Sequence, residues 1–74
     1  MENQLGARIA KLRRACGLTQ ETLGGQLGVS AAAVSKWETG TADPSTSNLL
    51  ALAKLFGVPA EELLRETAAG GAGA

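Results

Sequence analysis

The segment from Thr19 to Gly40, TQETLGGQLGVSAAAVSKWETG, carries the punctuation of two short helices joined by a tight turn. Thr19 is placed to N-cap the first, its hydroxyl accepting from an otherwise orphaned amide, while Leu18 and Leu23 occupy the N′ and N4 positions of a hydrophobic staple. The pattern repeats with Ser30 as the second N-cap and Val29 and Val34 as the second staple. Between them Gly28 stands at C′, where a left-handed backbone is cheapest without a Cβ. Only about three residues separate the two helices, so they must cross at a steep angle.

That is helix-turn-helix geometry: a first helix able to lie across a phosphate backbone and a second able to present its N-terminal residues to base edges. With the rest of the chain added, the sequence resembles the lambda-repressor and Cro-like, XRE-type, helix-turn-helix family. The marks are LTQE at Leu18–Glu21, LGVS at Leu27–Ser30, VSKWETG at Val34–Gly40, PS at Pro44 and Ser45, and LFGVPAEELL at Leu55–Leu64. They run in the family's register from Leu5 to Leu64. The resemblance implies an all-α, compact five-helix DNA-binding domain.

Composition fits one small domain. A chain of 74 residues buries only about 60% of its unfolded surface, so its core must come from a few well-packed side chains, here mainly leucine and alanine. No apolar run approaches the ~20 residues of a membrane span, and no signal-peptide pattern is present, so a cytoplasmic location is expected. Cys16 is the only cysteine and there is no histidine. No intramolecular disulfide is therefore possible, and neither a metal nor a cofactor is expected. Cys16 itself reads as a small, semi-buried apolar residue.

Five helices are expected. The first covers about 4–15, with Leu5, Ile9, Leu12 and Cys16 as its inward stripe and Gly17 as its end. The second covers about 20–27 and the third about 31–38. Ser45 caps a fourth, ending at Phe56 before Gly57, with Leu49, Leu52, Ala53 and Phe56 along one face. Val58 and Leu63 staple a fifth from about Ala60 to Glu66. The domain is thus 1–67, with the helix-turn-helix unit at about 19–40; the sequence AAGGAGA at 68–74 has nothing to bury and reads as a disordered tail.

Within the unit, Leu23, Leu27, Val34 and Trp37 read as core. Gly24 stands at a close approach of helices two and three, where the family places a small residue. Gly25 has no such reason, although glycine in a helix interior costs roughly 0.5–1 kcal/mol relative to alanine. The resemblance assigns Arg13 and Glu38 to a partly buried ion pair that holds the arginine beside DNA. Gln20 can offer its amide and the helix-end N–H groups to a phosphate, and Thr39 and Thr41 can bind a second one. On the recognition helix the base-reading positions are Ala31, Ala32, Ser35 and Lys36. Ser30, Arg13 and Arg14 complete the expected DNA-facing set.

Two features depart from the family's pattern. Ala31, Ala32 and Ala33 stand where one or two polar readers are usual, so few bidentate base contacts are available, each worth ~1–3 kcal/mol of discrimination. Seven Lys plus Arg against seven Asp plus Glu also give no net charge, whereas DNA-binding domains usually carry a basic footprint. Arg8, Lys11, Arg13 and Arg14 nevertheless make the first helix basic, and Glu61, Glu62 and Glu66 make the last one acidic. The sequence therefore reads first as a transcriptional regulator, expected to be a repressor, that binds a pseudo-palindromic operator in double-stranded DNA. It would act as a homodimer joined through Val58, Leu63 and Leu64. The alternative is a protein-interaction module on the same fold, such as an antitoxin or co-activator component. With no ready general base or nucleophile pair, an enzyme is not expected.

Overall fold

A computed structural model of the protein describes residues 4–64. Helix α1 spans Gln4–Ala15, α2 Gln20–Leu27, α3 Ala31–Thr39 and α4 Thr46–Phe56; a fifth helix, α5, covers 60–64 of the described residues. No described residue lies in a strand. The expected end of α5 at Glu66, the domain limit at 67 and the tail at 68–74 lie outside the described residues.

The helix starts follow from their caps. The hydroxyls of Thr19, Ser30 and Ser45 accept from the backbone N–H of Thr22, Ala33 and Asn48 at 3.0, 3.1 and 3.1 Å. Each satisfies an amide that the helix itself cannot, at a typical gain of about 1 kcal/mol. The residue before the third cap is Pro44, which is buried. It holds the N′ position with Leu49 at N4, the two places a hydrophobic staple uses, and a proline there escapes a search for aliphatic pairs.

All five helices feed one core. Ile9 of α1, Leu23 of α2, Val34 and Trp37 of α3, Leu52 and Ala53 of α4 and Leu63 of α5 form a single buried cluster. Leu5, Leu12, Leu18, Leu27, Val29, Leu49, Phe56 and Val58 pack around it. Burying each large aliphatic side chain contributes roughly 1.5–3 kcal/mol, so the few in this cluster account for most of what holds the helices together. Helix α3 packs against both α1 and α2, which leaves only its outer stripe for other work.

Two expectations need correction. The inward stripe of α1 is centred on Gly6, Ile9 and Ala10, which are buried, with Leu5 and Leu12 on its flanks and Arg13 continuing it at i+7 from Gly6. Cys16 is exposed. Its amide still bonds to the Leu12 carbonyl at 3.0 Å, but α1 ends at Ala15 and Gly17 turns the chain at φ 73°, which leaves Cys16 at the helix end, past the buried Gly6, Ile9 and Ala10. Leu63, expected at a subunit contact, is 1% exposed; the small core needs it, and it has no surface to offer a partner.

Candidate nucleic-acid interface

The outer face of α3 follows from its inner one. Val34, Trp37 and Glu38, at i, i+3 and i+4, turn toward the protein, which places Ala32, Lys36 and Thr39 on the opposite stripe, all exposed. Ala31 and Ser35 are half-buried and form one ridge with Glu38 at i, i+4 and i+7. Of the four expected base-reading positions, Ala32 and Lys36 are therefore fully presented, and Ala31 and Ser35 sit lower on one flank. Ser30 is exposed, but its oxygen is engaged as the N-cap of α3.

At the inner end of that ridge, three helices meet on one carboxylate. Arg13 donates from Nε to Glu38 Oε2 at 2.6 Å and from Nη2 to Glu38 Oε1 at 3.3 Å. Its Nη1 donates to the Leu18 carbonyl at 2.8 Å. Gln20 Nε2 donates to the same Glu38 Oε1 at 3.0 Å. The side chains of Arg13 and Glu38 are 12% and 7% exposed, so the pair is screened by water far less than a surface salt bridge. Burial by itself raises the Glu38 pKa; the hydrogen bonds from Arg13 and Gln20 and the charges of Arg13 and Arg14 more than reverse that, and the carboxyl stays below its ordinary range. The ion pair that the family resemblance implied is present, whereas the Gln20 bond to it has no signal in sequence spacing.

A second polar group closes α3. The Lys36 carbonyl accepts from the Thr41 and Ala42 amides at 2.9 and 3.2 Å, and from the Thr39 hydroxyl at 3.3 Å. Thr39 and Thr41 hydroxyls lie 3.0 Å apart. Either hydroxyl can donate to the other.

The basic side chains of α1 separate. Arg8 Nη1 lies 3.9 Å from Glu62 Oε2 and ties α1 to α5. Arg13 is neutralised by Glu38, while Lys11 and Arg14 are exposed. The Arg14 charge, added to that of Arg13, helps to lower the Glu38 pKa. Among the described residues there is no cluster of His, Cys, Asp and Glu able to hold a metal ion, and no helix is long and apolar enough to cross a membrane.

The fold that carries this layout is shared with known proteins. A family model described as a helix-turn-helix domain matches residues 4–66. The chain belongs to the lambda-repressor-like, XRE-type helix-turn-helix family of DNA-binding domains. Among this family's curated members, it is 41% identical over 61 residues to the HTH-type transcriptional activator BcrR of Enterococcus faecalis, covering 82% of this chain and 30% of BcrR. It is 39% identical over 66 residues to repressor protein C2 of Salmonella phage P22, covering 88% of this chain and 31% of C2. The chain thus spans about 30% of the length of these two relatives. Its structure is similar to that of the P22 c2 repressor in complex with a synthetic operator, with a TM-score of 0.76 and 37% identity over 80% of this chain and 89% of that one.

Proposed function

We propose that this domain binds operator DNA as a transcriptional regulator, inserting α3 into the major groove and using Gln20, Thr39, Thr41, Arg13 and Arg14 on the flanking phosphates. The observation that carries this reading is the division of α3. Its inner stripe is consumed by the core and by Glu38, while Ala32, Lys36 and Thr39 are left exposed beside a network that ends on Gln20. The likeness to a repressor solved on its operator supports it. Lys36 is the long donor of the outer stripe and reaches for guanine O6 or N7; Ser35 serves base or phosphate; Ala31 and Ala32 offer methyl groups suited to thymine. With so few readers, one domain reads too little sequence for a useful operator affinity. Two copies on half-sites about one helical turn apart, ~34 Å, supply the remainder. Leu64, at 43% exposure, is the exposed apolar residue among the described residues of α5 and the one offered to join them, and Val58 is half-buried. A relative named an activator and another named a repressor share this domain; of the two outcomes we favour repression, which needs only occupancy of a promoter.

A second reading, a protein-interaction module on the same scaffold, draws on one observation: Glu62 and Glu38 offset the charges of Arg8 and Arg13, which leaves a small basic footprint. A salt series decides between the two. Phosphate contact gives log K falling with log salt at a slope of about −0.9 per neutralised phosphate. For a few contacts per subunit the slope is shallow but negative, and a flat line would establish the interaction module instead.

A further inference from the structure

We propose that Glu38 is a positioning residue for DNA-backbone recognition, acting by fixing the side-chain amide of Gln20 so that its second N–H faces the phosphate. The inference deepens the reading of Gln20 as a phosphate contact and rests on it.

An ionised carboxylate only accepts, so the Gln20 amide can present only its NH2 group to Glu38, and the ambiguity between amide oxygen and nitrogen is removed. One of the two N–H hydrogens is taken at 3.0 Å. The amide is planar, so the direction of the other hydrogen is set as well. Without Glu38, a half-buried glutamine at the first position of α2 turns its oxygen outward as readily as its nitrogen, and an outward oxygen repels a phosphate.

A carboxylate is otherwise a poor neighbour for DNA. Here the same oxygen that holds Gln20 also accepts from Arg13 Nη2, and its twin oxygen accepts from Arg13 Nε. The arginine cancels the charge and leaves the orienting bond. The carboxylate's low exposure keeps water from competing for that oxygen. Arg13 on α1, Gln20 on α2 and Glu38 on α3 thereby convert the packing of three helices into the orientation of one amide.

A double-mutant cycle tests the proposal. Affinity for a mixed-sequence 20-base-pair duplex at low salt suffices as the probe, because phosphate contacts are independent of sequence. Gln20→Ala, Glu38→Gln and the double variant are compared after circular dichroism establishes that each is folded at the assay temperature. Glu38→Gln leaves the Arg13 charge uncompensated, which favours DNA on either background, and also frees the Gln20 amide to flip; on the Gln20→Ala background only the first effect remains. The expected result is a Glu38→Gln affinity about fivefold less favourable, relative to its background, in the presence of Gln20 than in its absence. Equal changes on both backgrounds overturn the positioning role but leave Gln20 as a contact. Unchanged affinity of Gln20→Ala overturns the contact itself. If Glu38→Gln does not fold, the wild-type protein still answers by NMR. One Gln20 amide hydrogen should keep its Glu38 bond while the other shifts on adding the duplex; movement of neither, or loss of the Glu38 bond, rejects the proposal.

Discussion

The β-carbon that Gly24 lacks would stand 2.6 Å from the carbonyl oxygen of Val29. The same position would also lie 3.1 Å from the Ser30 carbonyl carbon and oxygen, so α2 lies directly on the backbone that launches α3. The atoms in the way belong to the turn itself and cannot move aside as a flexible side chain would. At Gly25, one residue along the same helix, an added β-carbon meets nothing within 4 Å.

The two adjacent glycines should therefore respond in opposite directions. Gly24→Ala is expected to destabilise the domain by about 1–3 kcal/mol through forced backbone displacement. Gly25→Ala should stabilise it by about 0.5–1 kcal/mol through helix propensity. Urea unfolding of both variants checks the pair, and a stable Gly24→Ala protein would contradict the packing described for the turn.

Glu38 makes stability depend on acid. Its folded pKa lies below the ordinary value of 4.5, so the unfolded chain binds the proton more readily. The stabilisation is fully present above the unfolded pKa and is lost as pH falls from about 4.5 through the lower folded value. Unfolding free energies measured from pH 7 to 3 should show a shallower decline for Glu38→Gln than for wild type.

Lys36 and Gln20 should separate reading from holding. Lys36→Ala is expected to lower affinity for the selected operator by about 1–3 kcal/mol and to relax preference at one base position. Gln20→Ala should weaken all sequences nearly equally. A binding selection from randomised duplexes with each variant reads out both effects; matching preference profiles for wild type and Lys36→Ala would remove lysine from the base-reading set.

Neighbouring leucines in α5 should divide between fold and assembly. Leu63→Ala opens a cavity in the core and is expected to cost about 2–5 kcal/mol of stability. Leu64→Glu, on the exposed side, should leave the fold nearly unchanged and abolish cooperative occupancy of a two-half-site operator, because a charge would be buried unpaired across the two-fold axis. Thermal unfolding together with light scattering on operator DNA distinguishes the two outcomes. Equal assembly by Leu64→Glu and wild type would place the subunit contact elsewhere, with Leu50 on α4, 57% exposed, as the other large exposed apolar side chain among the described residues.

What the chain order alone determined is local. Helix ends were legible because a cap is a contact between residues three apart, as Thr19 with Thr22, Ser30 with Ala33 and Ser45 with Asn48 show. Trp37 and Val34 were legible as core because a capped helix of known start has a calculable inner stripe. The exposed position of Cys16, the burial of Gly6 and Ala10, and the assignment of Leu63 to the core were decided in three dimensions. The burial of Gly6, Ala10 and Leu63 depends on how far each helix is rotated against its neighbours, and the exposure of Cys16 on where α1 ends; residues on two adjacent stripes of α1 satisfy a hydrophobic spacing rule almost equally well. The bond from Gln20 to Glu38 lies beyond spacing rules altogether. It joins residues 18 positions apart, and it forms because the buried core brings α1, α2 and α3 together around one carboxylate that must find every donor within reach.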